Sequence, residues 1–108
     1  MRFCGLDCHL HVAVDEVHRG AELGVFVRFS SNALRAPEWP AALQFRLVVS
    51  AGRTHHPLNG VPDTALHAGQ SRIYELRFPG AVEPEGAKLV VSWKGGLDYL
   101  VPGAGNPL

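Results

Sequence analysis

The sequence predicts an all-β protein in which about six to eight antiparallel strands form two packed sheets. Short runs of alternating apolar and polar residues recur between residues 8 and 101, and this period of two is typical of strands with one buried face. Glycine or proline stands at nearly every break between these runs, where turns require them. The runs are rich in valine and phenylalanine and have no helical period, which argues against helices.

The first two strands are predicted at residues 8–17 and 23–30. Every second residue from Leu10 to Val14 and from Leu23 to Phe29 is apolar, so each strand has one face suited to a core. Residues 18–20, His-Arg-Gly, form a short turn between them. Two strands this close along the chain most simply form an antiparallel hairpin.

The middle of the chain is predicted to hold one long strand and one short strand. The prolines in residues 31–41 cannot lie inside a sheet, because each lacks the N–H that a ladder needs. A third strand follows at 43–50, and the Ala-Gly pair at 51–52 turns the chain into a short return strand at 53–56. The connection at 57–68 is too long for a tight hairpin, so we expect it to cross between the sheets.

Three more strands complete the prediction. They are expected at 69–79, 88–94 and 97–101. In the first two, every second residue from Tyr74 to Phe78 and from Leu89 to Trp93 is apolar. The pair Gly95-Gly96 predicts a two-residue hairpin between the last two, because glycine tolerates the positive φ angles of such turns. Residues 102–108 form a tail rich in glycine and proline.

Length and composition indicate one globular domain spanning residues 1–108. A chain of 108 residues hides roughly two-thirds of its unfolded surface on folding, which is enough for one core. Hydrophobic residues make up 46% and charged residues 19%, a balance that excludes a disordered chain. We expect Phe45, Leu76 and Trp93 to lie in the core between the sheets.

The charge balance and the apolar runs exclude several functions. Ten basic residues balance ten acidic residues, so no overall field attracts nucleic acid. No run approaches the roughly 20 apolar residues of a membrane-spanning helix, and no apolar signal sequence follows Met1. No serine lies in a nucleophile-elbow pattern and no glycine-rich stretch has phosphate-loop spacing. The sequence therefore predicts a protein that is not an enzyme.

The residues that carry chemistry lie near the start, at Cys4, Cys8, His9 and His11. The two cysteines have three residues between them and suit a small disulfide loop or two free thiols. Alternatively, His9 and His11 share one strand face, and two imidazoles with thiolates suit copper or zinc. Covalent haem is a third alternative, but its attachment motif has two residues between the cysteines.

Trp39 lies in a loop between two prolines and has two interpretations. Tryptophan is highly buried on average, so this side chain is predicted to cap one end of the core. The alternative is an exposed anchor for a partner protein, since tryptophan is enriched among the residues that dominate binding energy at interfaces.

Three short motifs add a resemblance to a family. They are Leu47-x-x-x-x-Gly52-Arg53, Leu66-x-x-Gly69-x-Ser71 and Phe78-Pro79. Over residues 8–103 the chain resembles bacterial extracytoplasmic immunoglobulin-like domains of unknown function, which are usually tethered to lipoproteins or to a single membrane helix. The resemblance implies an immunoglobulin-like sandwich, a periplasmic or cell-surface location and no catalytic residues.

Two functions follow as expectations. The first is a non-enzymatic extracytoplasmic interaction domain, without cofactor, that binds a protein partner through its loops and an edge strand. The alternative is a copper- or zinc-binding domain that uses the cysteines and histidines near the start. Metal analysis of protein purified without chelator distinguishes the two.

Overall fold

A computed structural model describes residues 2–3, 10–31, 40, 43–50, 52–62, 64–93 and 98–101, and for 2, 3, 10, 93 and 98–100 it describes the backbone alone. Within these ranges the chain has eight strands. In chain order they are β1 (Arg2–Phe3), β2 (Leu10–His18), β3 (Glu22–Ser31), β4 (Leu43–Val48), β5 (Thr54–His55), β6 (Ser71–Pro79), β7 (Lys88–Trp93) and β8 (Asp98–Leu100).

The strands form two sheets, and all their pairings are antiparallel. The first sheet has the order β1-β2-β3-β6, and the second has the order β5-β4-β7-β8. The chain therefore crosses from one sheet to the other between β3 and β4, between β5 and β6, and between β6 and β7. The all-β class, the two antiparallel sheets and the crossing at residues 57–68 are confirmed.

The observed strands match the predicted ones to within two residues at each end, and one further strand is found. A two-residue strand, Arg2–Phe3, precedes the predicted first strand and pairs with Leu10 and His11. Two residues are too few to show an alternating pattern, so the sequence gives no signal for it. The strand predicted to start at residue 69 starts at Ser71, because Gly69 has a φ of +77° and belongs to a turn. Residues 8 and 9 of the predicted first strand lie outside the described ranges.

A bulge interrupts the pairing of β2 with β3. Val14 lies opposite Val27 and Glu16 lies opposite Phe26, so Asp15 is an extra residue in β2. In a strand without a bulge, strict alternation from Val14 would point Glu16 inward and Val17 outward. With it, Val17 packs against the core and the side chain of Glu16 is exposed.

The core lies between the two sheets and draws apolar side chains from both. Phe29 of the first sheet meets Phe45 of the second edge to face, with ring centroids 5.8 Å apart. Phe45 and Leu76 are buried, as predicted, and the side chain of Trp93 lies outside the described part. Other core members on the strands are Val12, Val14, Leu23, Val25, Val27, Leu43, Leu47, Phe78, Leu89 and Val91.

The described residues include no helix of the length and apolarity that crossing a membrane requires.

Candidate functional site

The structure places one of the four predicted metal-site residues. His11 lies in β2 between Arg2 of β1 and Ser30 of β3, and it is half-buried. With Arg28 and Ser30 it lines a shallow depression of about 100 Å³ on the outer face of the first sheet. The described ranges contain no group of three or more histidine, cysteine or acidic residues that would hold a metal ion.

The other predicted site residues lie outside the described ranges. Cys4, Cys8 and His9 belong to residues 4–9, between β1 and β2, and Trp39 belongs to residues 32–39. The disulfide, the copper or zinc site and the role of Trp39 therefore stay predictions.

A groove lies along one edge of the second sheet. It is lined by β4 from Leu43 to Arg46, by Leu76 of β6, by Ser92 of β7, and by the crossover residues His56, Pro57, Asn59, Gly60 and Val61. Its volume is about 330 Å³, and we call it the β4 groove. It exists because β5 pairs with only Leu47 and Val48, so among the described residues the other half of this edge has no neighbouring strand.

The backbone of β4 points hydrogen-bonding groups into this groove. The N–H of Val49 donates to the carbonyl of Arg53 at 2.9 Å, on the side of β4 where β5 lies. In an antiparallel ladder, the N–H and C=O groups of every second residue point to the same side. Leu47, Phe45 and Leu43 therefore point theirs to that side, and β5 reaches only the first of these three.

The crossover, which forms the wall of the groove opposite β4, also protects the edge of β6. The side chain of Asn59 donates to the carbonyl of Glu75 at 2.7 Å and accepts from the N–H of Arg77 at 2.8 Å. The N–H of Leu58 donates to the carbonyl of Arg77 at 2.6 Å. Residues 58 and 59 thus take the place of a neighbouring strand along this half of β6, which blunts an exposed edge.

The groove combines an apolar floor with a polar rim. Phe45 and Leu76 are buried at its base, where their side chains belong to the core. Gln44 and His56 are exposed along its rim. A Cβ atom built at Gly60 would have no heavy atom within 4 Å, so the groove has open space beside the crossover. Such a site suits a segment with one apolar side and one polar side.

Sequence reasoning did not identify the groove. The signals available were the length of the 57–68 connection and the pair Asn59-Gly60 within it, which is typical of turns. Neither signal shows that an amide side chain bonds the edge of a distant strand, because that contact depends on how the two sheets pack. No protein family, curated protein or solved structure matches the chain.

Proposed function

We propose that this chain is a non-enzymatic, extracytoplasmic interaction domain of immunoglobulin-like type, and that it binds an extended segment of a protein partner in the β4 groove. The extracytoplasmic location comes from the family resemblance over residues 8–103. The binding mode comes from the open edge of β4, which offers backbone donors and acceptors to an added strand.

The order of the strands supports the immunoglobulin-like part of the proposal. Immunoglobulin-like sandwiches place strands A, B and E side by side in one sheet, and C, F and G in the other, with C′ beside C in the variable type. In this chain β2, β3 and β6 are neighbours in one sheet, and β5, β4, β7 and β8 are neighbours in the other. Assigning β2 to β8 as A, B, C, C′, E, F and G reproduces that order.

The observation that carries the binding proposal is the contrast between two edges on the same side of the sandwich. The crossover covers the edge of β6 with Asn59, whereas no strand in the described part of the chain pairs with this edge of β4 at Phe45, which faces the groove. An edge strand with unpaired N–H and C=O groups is a template for another chain unless it is protected. Because the edge of β6 is protected while the neighbouring edge of β4 is left accessible, we assign a binding function to β4.

The groove also defines the chemistry of the partner. From Leu43 to Arg46 it accommodates about four residues of extended chain, since a strand rises about 3.3 Å per residue. In an extended segment, alternate side chains point to opposite sides. An apolar side chain of the partner would lie against Phe45 and Leu76, and its polar neighbours would face Gln44 and His56.

Two tryptophan substitutions test the proposal. Gly60→Trp adds a large side chain at a residue that lines the groove, where a Cβ meets no heavy atom within 4 Å. Gly20→Trp is the matched control in the β2–β3 turn, where a Cβ meets only the carbonyl oxygen of Glu22 at an ordinary 3.7 Å. A displayed library of eight-residue peptides is selected on the unmodified protein, and the selected peptides are then measured against both variants.

The proposal predicts selected peptides with an alternating apolar and polar pattern, bound equally by the protein and by Gly20→Trp. Gly60→Trp is expected to weaken binding at least tenfold. On peptide binding, the amides of Leu43 and Phe45 are expected to exchange hydrogen more slowly. Equal binding by Gly60→Trp, or protection elsewhere with none at these two amides, would overturn the proposal.

A further inference from the structure

A second pocket lies at the end of the sandwich where the β4–β5 hairpin approaches the connection from β6 to β7. Val49, Arg53 and His55 line it from the hairpin, and Val82 and Glu83 line it from the connection. Its volume is about 320 Å³, near the lower end of the roughly 300–1,000 Å³ typical of small-molecule sites. It shares no lining residue with the β4 groove.

The floor of the pocket is apolar. Val82 is buried, and Val49 packs against the core. Both side chains are fixed by packing against the core, so an apolar ligand would contact a preformed surface. The rim is polar, since Arg53 is exposed and His55 is half-buried.

The two charged side chains that line the pocket differ in their ion pairing. Glu83 accepts a hydrogen bond from the guanidinium of Arg19, and this contact offsets its negative charge. Arg28 and Arg77 are likewise paired, with Asp15 and Glu22. The guanidinium of Arg53 has no acidic partner among the described residues, so its donors are available to an anionic ligand.

From these observations we propose that the pocket binds a small carboxylate with an apolar body. The guanidinium of Arg53 donates to the carboxylate, since a planar fork of N–H donors matches its two oxygens. The imidazole of His55 lies on the same rim and supplies a further polar contact. The apolar body lies on Val49 and Val82. The chemistry fits either a free monocarboxylic acid or the C-terminus of an apolar peptide.

Nuclear magnetic resonance titrations test this assignment with defined probes. Hexanoate is compared with hexanamide, which has the same apolar body without the charge. The tripeptide acetyl-Ala-Val-Leu is compared with its C-terminal amide. Each probe is titrated into the protein, into Arg53→Gln and into Arg72→Gln. Arg72→Gln is the matched control, because Arg72 lies near the start of β6, whereas the pocket lies at the end of that strand. Like Arg53, Arg72 has no ion pair among the described residues.

The expected result is saturable binding of at least one carboxylate, with the largest shifts at the amides of Arg53, His55 and Val82. Its uncharged counterpart and the Arg53→Gln variant should each bind about tenfold more weakly, as expected from the loss of a hydrogen bond between charged groups. Arg72→Gln should bind like the unmodified protein. The tighter of the two carboxylates identifies the source, free acid or peptide terminus.

Three outcomes would overturn the assignment. They are the absence of saturable shifts with both carboxylates, equal affinity for the charged and uncharged probes, and unchanged affinity in Arg53→Gln. Because the two sites share no residue, Gly60→Trp should leave these titrations unaffected, so failure here is distinguishable from failure of the β4 groove.

Discussion

The Nε of Arg28 in β3 donates to the Oδ1 of Asp15 in β2 at 3.1 Å, and Asp15 is the extra residue of the β2 bulge. The bulged residue is thus tied to the neighbouring strand by its side chain. Both side chains are partly exposed, at 45% for Arg28 and 30% for Asp15, so the ion pair itself contributes at most about 1 kcal/mol.

Deleting Asp15 is therefore predicted to leave the fold intact. Val14 stays opposite Val27 and Glu16 opposite Phe26, as in a ladder without a bulge. The free energy of unfolding should change by no more than about 1 kcal/mol. Deleting Ala13 instead should turn at least one valine of β2 from the core to the outer face, at a cost of about 1.5–3 kcal/mol. Urea unfolding of both variants checks this, and equal losses would contradict the position of the bulge.

Two glycines are predicted to respond differently to alanine. A Cβ at Gly80 would overlap the backbone of Ala21 and lie 3.3 Å from the carbonyl oxygen of Gly20. Backbone cannot give way as a side chain does, so Gly80→Ala should lower stability by about 1–3 kcal/mol.

At Gly24 the nearest atoms belong to the flexible carboxylate end of Glu75. That carboxylate can move aside, and alanine is favoured over glycine inside a strand by about 0.5–1 kcal/mol. Gly24→Ala should therefore be close to neutral. Thermal unfolding of both variants tests the comparison. A larger loss of stability for Gly24→Ala than for Gly80→Ala would contradict the close contacts described at these two glycines.

Asn59 is predicted to stabilise the edge of β6. Asn59→Ala removes its bonds to the carbonyl of Glu75 and the N–H of Arg77 and should cost about 1–2 kcal/mol. Asn59→Asp keeps the oxygen that accepts from the N–H of Arg77, so it should lower the free energy of unfolding by about half as much as Asn59→Ala. Hydrogen exchange at the amide of Arg77 should accelerate in Asn59→Ala and much less in Asn59→Asp. An unchanged rate in both variants would mean that Asn59 does not protect this edge.

The alternative function makes a separate prediction about the residues near the start of the chain. If Cys4, Cys8, His9 and His11 bind copper or zinc, titration should saturate at one ion, and His9→Ala and His11→Ala should each weaken binding at least tenfold. His18→Ala is the matched control, since the imidazole of His18 contacts Glu16 at 2.8 Å at the other end of β2. Absence of saturable binding, or equal effects of all three substitutions, would exclude this site.

The sequence predicts most of the fold because alternation is a local signal. The inward positions of β3, from Leu23 to Phe29, are buried as the pattern requires. The inward position of Val17 was not predictable, because the bulge at Asp15 appears only when β2 is paired with β3. Local composition predicts a strand, and register with a neighbour decides where its alternation changes.

The candidate sites were harder to predict for the same reason. The β4 groove depends on how short β5 is and on where the crossover contacts β6, and both are relations between distant segments. Asn59 lies in a connection whose length was informative, yet its partners are Glu75 and Arg77, at least 16 residues away. Residue types near Cys4 and His9 suggested chemistry directly, whereas a site built from backbone edges has no characteristic residue type.

Among the residues that the structure describes, β4 has a strand neighbour on this edge at Leu47 and none at Phe45. Hydrogen exchange at these two amides in the free protein tests it most directly, because both residues are buried and both N–H groups point to the same side of the strand. The Phe45 amide is expected to exchange at least a hundredfold faster than the Leu47 amide, and a bound strand-forming peptide should remove most of this difference. Equal, slow exchange of both amides in the free protein would contradict it.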